Sequence, residues 1–139
     1  MLGGLRISHS HGLAGHSDAD VVLHAVADAL LGAAGLGDIG ELFPDTDAQF
    51  RDADSAVLLR EVVARIHAAG WQPVNVDLVI HAERPKLGPH KLAMRDRIAD
   101  LLGTAPNVVS VKAKTGESVG PIGRGDAISC EAVVLIERK

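Results

Sequence analysis

The chain has 139 residues, a formal net charge of −4, and 47% hydrophobic but only 2% aromatic residues. That length fits one domain whose core is filled by Val, Leu, Ile and Ala, the acidic balance argues against general nucleic-acid affinity, and the scarcity of aromatics leaves little surface for a partner hot spot. The single cysteine, Cys130, excludes an intrachain disulfide and suits a reducing compartment; with no apolar run near a membrane span and no basic-then-apolar start, the expected location is the cytoplasm.

Residues 2–7 read as a short strand, and residues 8–15 as a polar turn carrying His9 and His11. Ser17 is a good N-cap, with Asp20 three positions on in the manner of a capping box, for a helix that runs to about Gly35. Residues 36–54 form a long loop, of a length more often functional than idle. A second helix spans about 55–69 and ends at Gly70 as its C-cap. Residues 74–81 alternate as a strand, 82–88 are a loop, and a third helix covers roughly 89–102 before Gly103. Residues 108–114 are a strand, 115–126 a glycine-rich loop, and 127–137 the last strand. The order β-α-α-β-α-β-β predicts an α/β (α+β) fold, a mixed sheet with helices packed on one face.

Chemistry concentrates in a few places. His16, Asp20, His24 and Asp28 follow one another at intervals of four, so a helix lines up imidazoles and carboxylates on one stripe, a set that suits a divalent metal such as zinc. The bland alternative is a helix N-terminus with solvated acids and one half-buried histidine. His16 and Ser17 at the helix entrance stand where backbone N–H groups favour an anion. Asp38-Ile39-Gly40 and Phe43-Pro44-Asp45-Thr46-Asp47 gather carboxylates and a hydroxyl on one loop, and Phe43 hints that the loop folds over something. Glu83, Arg84 and Lys86 surround Pro85 directly after a strand, where α/β proteins often hold ligands. Lys114 and Thr115 suit phosphate, and Glu117 suits a magnesium ion bridging a diphosphate. Arg124 adds a cation to the glycine-rich loop. No Walker-type or dinucleotide fingerprint is present.

Taken together, the runs beginning His16-Ser-Asp-Ala-Asp-Val, His24-Ala-Val-Ala-Asp, Leu36-Gly-Asp-Ile-Gly and Leu42-Phe-Pro-Asp-Thr-Asp resemble the 2-C-methyl-D-erythritol 2,4-cyclodiphosphate synthase family. So do Asn75-Val-Asp, Pro85-Lys86, the segment from Lys112 to Glu117, Gly123-Arg-Gly and Cys130-Glu-Ala-Val. The resemblance implies a homotrimer with its sheets around a central axis and active sites shared between subunits. It implies an intramolecular phosphoryl transfer that releases CMP from a CDP-methylerythritol phosphate in the non-mevalonate route to isoprenoids, with zinc and a magnesium or manganese ion neutralising the phosphates. By the same resemblance His24 is a zinc ligand and Glu117 the magnesium carboxylate. His16 and Thr115 stabilise the transition state, with Ser17 on the substrate. Asp38, Ile39, Gly40, Phe43, Pro44, Asp45, Thr46 and Asp47 hold the methylerythritol. Ala82, Glu83, Arg84, Pro85, Lys86, Leu87 and Gly88, with Ala113, form the cytidine pocket and nearby phosphate contacts. Lys114, Gly116 and Pro121 complete the phosphate-side loop, and Arg124 lies near the trimer axis beside a cavity that holds an isoprenoid diphosphate in some members.

The sequence also departs from that family. Members begin with a strand carrying Gly-x-Asp-x-His, the source of two further zinc ligands; the first family segment here is Leu2-Gly-Gly-Leu-Arg-Ile, so the zinc site is expected to be incomplete. His9 and His11 match a variable connection away from the metal. Lys114 and Gly116 replace the usual threonines, and Pro121 stands where a phenylalanine is common, which counts against isoprenoid binding. Three expectations therefore compete: the cyclase itself, a catalytically impaired short form that binds nucleotide or isoprenoid as a trimer, and an unrelated metal-dependent phosphoesterase.

Overall fold

The computed structural model describes residues 1–8, 20–44 and 54–139. Helix α1, Val21–Ala34, carries Val22, Leu23, Val26, Ala27, Leu30 and Leu31 at helical spacing, and all six are buried. Gly35, in the left-handed region at φ 71°, ends it. Its N-cap is Asp20, whose carboxylate accepts hydrogen bonds from the Val22 and Leu23 amides. That corrects the expectation of a cap at Ser17, which lies outside the described residues. Asp serves a helix start as well as Ser does, and Asp20 gains further partners described below.

The expected first strand over residues 2–7 is instead a tight turn. Leu2 and Leu5 exchange backbone hydrogen bonds of 2.8 and 3.0 Å as an isolated antiparallel bridge. Gly3 and Gly4 between them take φ of 60° and 78°. Two successive left-handed residues make the chain double back, and glycine reaches that conformation without a Cβ penalty. Leu2 is buried in the core.

The long loop after α1 contains a short helix, α2, Ile39–Leu42. Helix α3, Ser55–Ala68, is capped by Asp54 and buries Leu58, Leu59, Val62, Val63 and Ile66. Its C-cap is Ala69, with Gly70 one residue later at φ 94° turning the chain into the sheet. Strand β1, Trp71–His81, is followed by a single 3-10 turn, Gly88–His90, and by helix α4, Lys91–Leu102. The third helix thus begins as the tighter turn before becoming regular. Strand β2, Val109–Lys114, the short helix α5, Gly120–Gly123, and strand β3, Ser129–Arg138, complete the order.

The sheet has the order β2-β1-β3. β1 runs parallel to β2, with Leu78 opposite Val111, and antiparallel to β3, with Leu78 opposite Ala132. The parallel pair needs a crossover, and α4 supplies it. Val76, Leu78, Ile80 and Val109 are buried in one core with α1, α3 and α4. Alternation along the strands sends Asp77, Val79, Val133 and Leu135 to the opposite face. There Val133 and Leu135 are 73% and 56% exposed, and Lys112 pairs with Asp77 at 3.0 Å. The mixed sheet with helices is therefore as expected. Among the described residues no helix is long and apolar enough to cross a membrane.

Candidate functional site

β1 and β2 run parallel and end side by side, and the Ala82 amide donates to the Lys114 carbonyl at 2.9 Å just beyond them. Between the two departing segments lies a cavity of about 270 Å³. One wall is Ala82, Pro85, Lys86, Leu87 and Gly88, continued by Pro89 and Lys91; the other is Ala113, Lys114 and Thr115. Strand C-terminal ends are where α/β sheets commonly receive ligands. Three lysines surround the opening on a chain of net charge −4, so the local potential favours an anion. The sequence reading missed Pro89 and Lys91. Lys91 sits at the first position of α4, and its signal was the adjacent pair His90-Lys91 at the start of that helix.

Glu83 and Arg84, expected in the cytidine pocket, are not among the lining residues. The Arg84–Pro85 peptide is cis. The Glu83 carboxylate accepts from the Ser118 amide at 3.1 Å, and the Thr115 hydroxyl accepts from the Glu117 amide at 3.2 Å. Glu117 and Ser118 both lie in the left-handed region, at φ 51° and 63°, which non-glycine residues seldom occupy. The loop is wound tightly here. A Cβ on Gly116 would sit 2.5 Å from the Gly123 backbone nitrogen, which gives a physical reason for glycine where a threonine was expected. Pro121 is the second residue of α5, and Arg124 closes it, pairing with Asp126 at the surface at 3.0 Å.

Asp20, His24 and Asp28, the described members of the His/Asp stripe, do not act as one group. Asp20 is fully buried, and its two oxygens accept from the amides of Gly3, Gly4, Val22 and Leu23. Asp28 accepts from the Ile39 amide at 2.9 Å. Both carboxylates therefore act on backbone, which corrects their reading as metal-facing partners of His24. Ring nitrogen Nε2 of His24 lies 3.0 Å from the Ser55 hydroxyl, and Ser55 is buried at the start of α3. Ser55 was read only as part of a helix start, because nothing local in the sequence brings it to a residue 31 positions away. Among the described residues no three His, Cys, Asp or Glu side chains are grouped to hold a metal ion. The described residues thus do not by themselves fit zinc at His24 or magnesium at Glu117.

Asp38 caps α2, accepting from Glu41 at 2.8 Å, and places Ile39 and Gly40 in its first turn. Phe43 folds over the core itself, 8% exposed, with the Arg65 guanidinium 5.5 Å from its ring centre; Pro44 follows it. His9, His11, His16, Ser17, Asp45, Thr46 and Asp47 lie outside the described residues. Burial, with the carboxylates of Asp20 and Glu131 adding to it, pushes the Cys130 thiol up to about 12.

Fold and pocket define an α/β protein with a mixed sheet and a basic pocket at the ends of its parallel strands. The YgbB family model matches residues 1–137, and the chain belongs to that family. It is 60% identical, over its whole length and 86% of the relative, to a protein of Bordetella avium named 2-C-methyl-D-erythritol 2,4-cyclodiphosphate synthase. A solved structure of 2C-methyl-D-erythritol-2,4-cyclodiphosphate synthase in a CDP-bound form matches with a TM-score of 0.90 at 41% identity, over 99% of this chain and 89% of that one. The bifunctional IspDF of Campylobacter jejuni matches with a TM-score of 0.95 at 41% identity; it takes in all of this chain, which spans 38% of that protein.

Proposed function

We propose that this chain converts 4-diphosphocytidyl-2-C-methyl-D-erythritol 2-phosphate to 2-C-methyl-D-erythritol 2,4-cyclodiphosphate and CMP. Relatives bearing the synthase name across the full chain make it a lyase that forms a cyclodiphosphate, and they disfavour a binding-only role. The observation that carries the residue-level reading is the cavity at the strand ends, which joins Lys86 and its neighbours to Lys114 and Thr115.

The reaction is chiefly a positioning problem. An oxygen of the 2-phosphate forms a bond to the β-phosphorus, and the bond from that phosphorus to the oxygen shared with the α-phosphate breaks, leaving CMP. Two polyanionic groups must approach each other, so fixed cations and aligned donors lower the barrier. Lys86, Lys91 and Lys114 supply three ammonium groups around the cavity. The Thr115 hydroxyl accepts from the Glu117 amide, and a hydroxyl that accepts one bond can still donate its hydrogen to a phosphate oxygen. Ala82, Leu87 and Gly88 with Ala113 give the narrow apolar walls suited to a pyrimidine ring. His16 and Ser17 at the substrate, Asp38, Ile39, Gly40 and the segment from Phe43 to Asp47 on the methylerythritol, Gly116 and Pro121 on the phosphate side, and Arg124 near the trimer axis rest on the resemblance. Zinc at His24 and magnesium or manganese at Glu117 rest on it alone.

The exposed Val133 and Leu135 on the open sheet face support assembly as a homotrimer with that face toward the axis. The common core supports reading residues 1–139 as one synthase domain, and a cytoplasmic location agrees with the unpaired cysteine. The test is CMP release from the substrate by this chain with zinc and magnesium supplied. Release that falls strongly in Lys86→Ala supports the reading; full release in that variant refutes the pocket assignment.

A further inference from the structure

Three consecutive amides of the loop after β2 have their hydrogen bonds within the protein. Glu117 donates to the Thr115 hydroxyl, Ser118 to the Glu83 carboxylate, and Val119 to the Gly116 carbonyl. Two of the three bonds are local. The third crosses 35 residues and joins the segment after β1 to the segment after β2. It lands where Glu117 and Ser118 are both at positive φ and where a Cβ on Gly116 would meet the Gly123 backbone. A non-glycine pair in the left-handed region persists only where surrounding contacts hold it. Glu83 and Arg84 lie between two residues that line the cavity, Ala82 and Pro85, yet are not themselves in the lining.

We infer that Glu83 is a positioning residue: its carboxylate fastens the Thr115–Val119 turn to the nucleotide-side wall, so that the two walls of the cavity move as one. The inference rests on the reading of the cavity as a nucleoside diphosphate site. It assigns to Glu83 a task on the protein's own backbone, in place of contact with the cytidine. Because Ser118 lies on the wall carrying Lys114 and Thr115, loosening the tie affects the β-phosphate more than the base or the α-phosphate. A hydrogen bond to an ionised acceptor is among the stronger kind, but at an exposed site solvent competes for it.

The test uses the full chain labelled with nitrogen-15, with Glu83→Ala and Glu83→Gln. Glutamine keeps an oxygen that accepts from an amide, so it is the conservative rescue. Amide exchange at Ser118 is read first, without ligand. Protection in the wild type, lost in Glu83→Ala and kept in Glu83→Gln, is the expected result; equal exchange in all three overturns the tie. Calorimetry with CDP and with CMP is read second. Glu83→Ala is expected to weaken CDP by roughly fivefold while CMP changes less than twofold, with Glu83→Gln close to wild type. Equal losses for CDP and CMP, or no rescue by glutamine, overturn the inference. If the wild type binds neither nucleotide, the reading of the cavity fails, and the exchange measurement alone decides the tie.

Discussion

Replacing Asp20 by alanine is expected to remove the contact that joins the amino-terminal turn to helix α1. The carboxylate is fully buried and accepts four amides, from Gly3 at 2.9 Å, Gly4 at 2.7 Å, and Val22 and Leu23 at 3.1 Å each. Losing the N-cap costs about 1 kcal/mol. The two bonds to the glycine turn go to a charged acceptor, and each costs about 1.5 kcal/mol at the low end, since water enters the vacated space. The total of about 4 kcal/mol is a large share of the 5–15 kcal/mol that separates a typical folded domain from its unfolded chain. Asp20→Ser keeps a capping oxygen but cannot reach Gly3 and Gly4, so it is expected to lose about 3 kcal/mol. Urea unfolding at fixed protein concentration measures both variants, followed by circular dichroism and by the fluorescence of Trp71, the only tryptophan. A loss below about 1 kcal/mol in Asp20→Ala, or equal losses in the two variants, refutes the reasoning.

Val133→Asp places a charge on the open sheet face and is expected to convert the proposed trimer to a species near the 14.5 kDa chain mass, as light scattering would report; an unchanged mass excludes that face from the interface. Gly123→Ala puts a Cβ against the Ser118 backbone, 2.8 Å from its Cα, and is expected to weaken CDP by about tenfold while the melting temperature moves by only a few degrees; calorimetry and a thermal melt separate the two. The Cys130 thiol, raised from 9.0 to about 12, stays protonated at pH 8 and should react with a disulfide reagent far more slowly than an unfolded control. Its raised value means that the folded chain holds the proton more tightly. That contribution to stability is complete below pH 9 and is lost as the pH rises toward about 12, and urea midpoints across that range would show the decline.

Much of the secondary structure was legible because its causes are local. Leu30 and Leu31 fall on the apolar face set by helical spacing, and Gly35 and Gly103 stop their helices in the left-handed conformation. Val76, Leu78 and Ile80 alternate as a strand with one buried face must. Residues 2–7 differ from the expected strand because the Gly3-Gly4 pair, a turn signal, outweighs the strand-like alternation of Leu5 and Ile7. The pocket residues between Ala82 and Gly88 and those from Ala113 to Thr115 could be picked out by residue type and by resemblance, since charge and phosphate chemistry are written in the side chains themselves.

What the sequence alone determined, then, is the three long helices and the three strands of the sheet, the basic residues destined for an anion, and the family whose chemistry they suit. Which of those residues meet was decided by tertiary structure. Asp20 was indistinguishable from a metal-facing carboxylate until the glycine turn folded onto it, and Asp28 until α2 presented the Ile39 amide. Ser55 reaches His24 only when α1 and α3 pack, and Glu83 reaches Ser118 only when β1 and β2 align in parallel. Spacing along the chain fixes which side chains share a helix face or a strand face. The partner of a carboxylate depends instead on distances across the fold, set by packing between elements far apart in sequence.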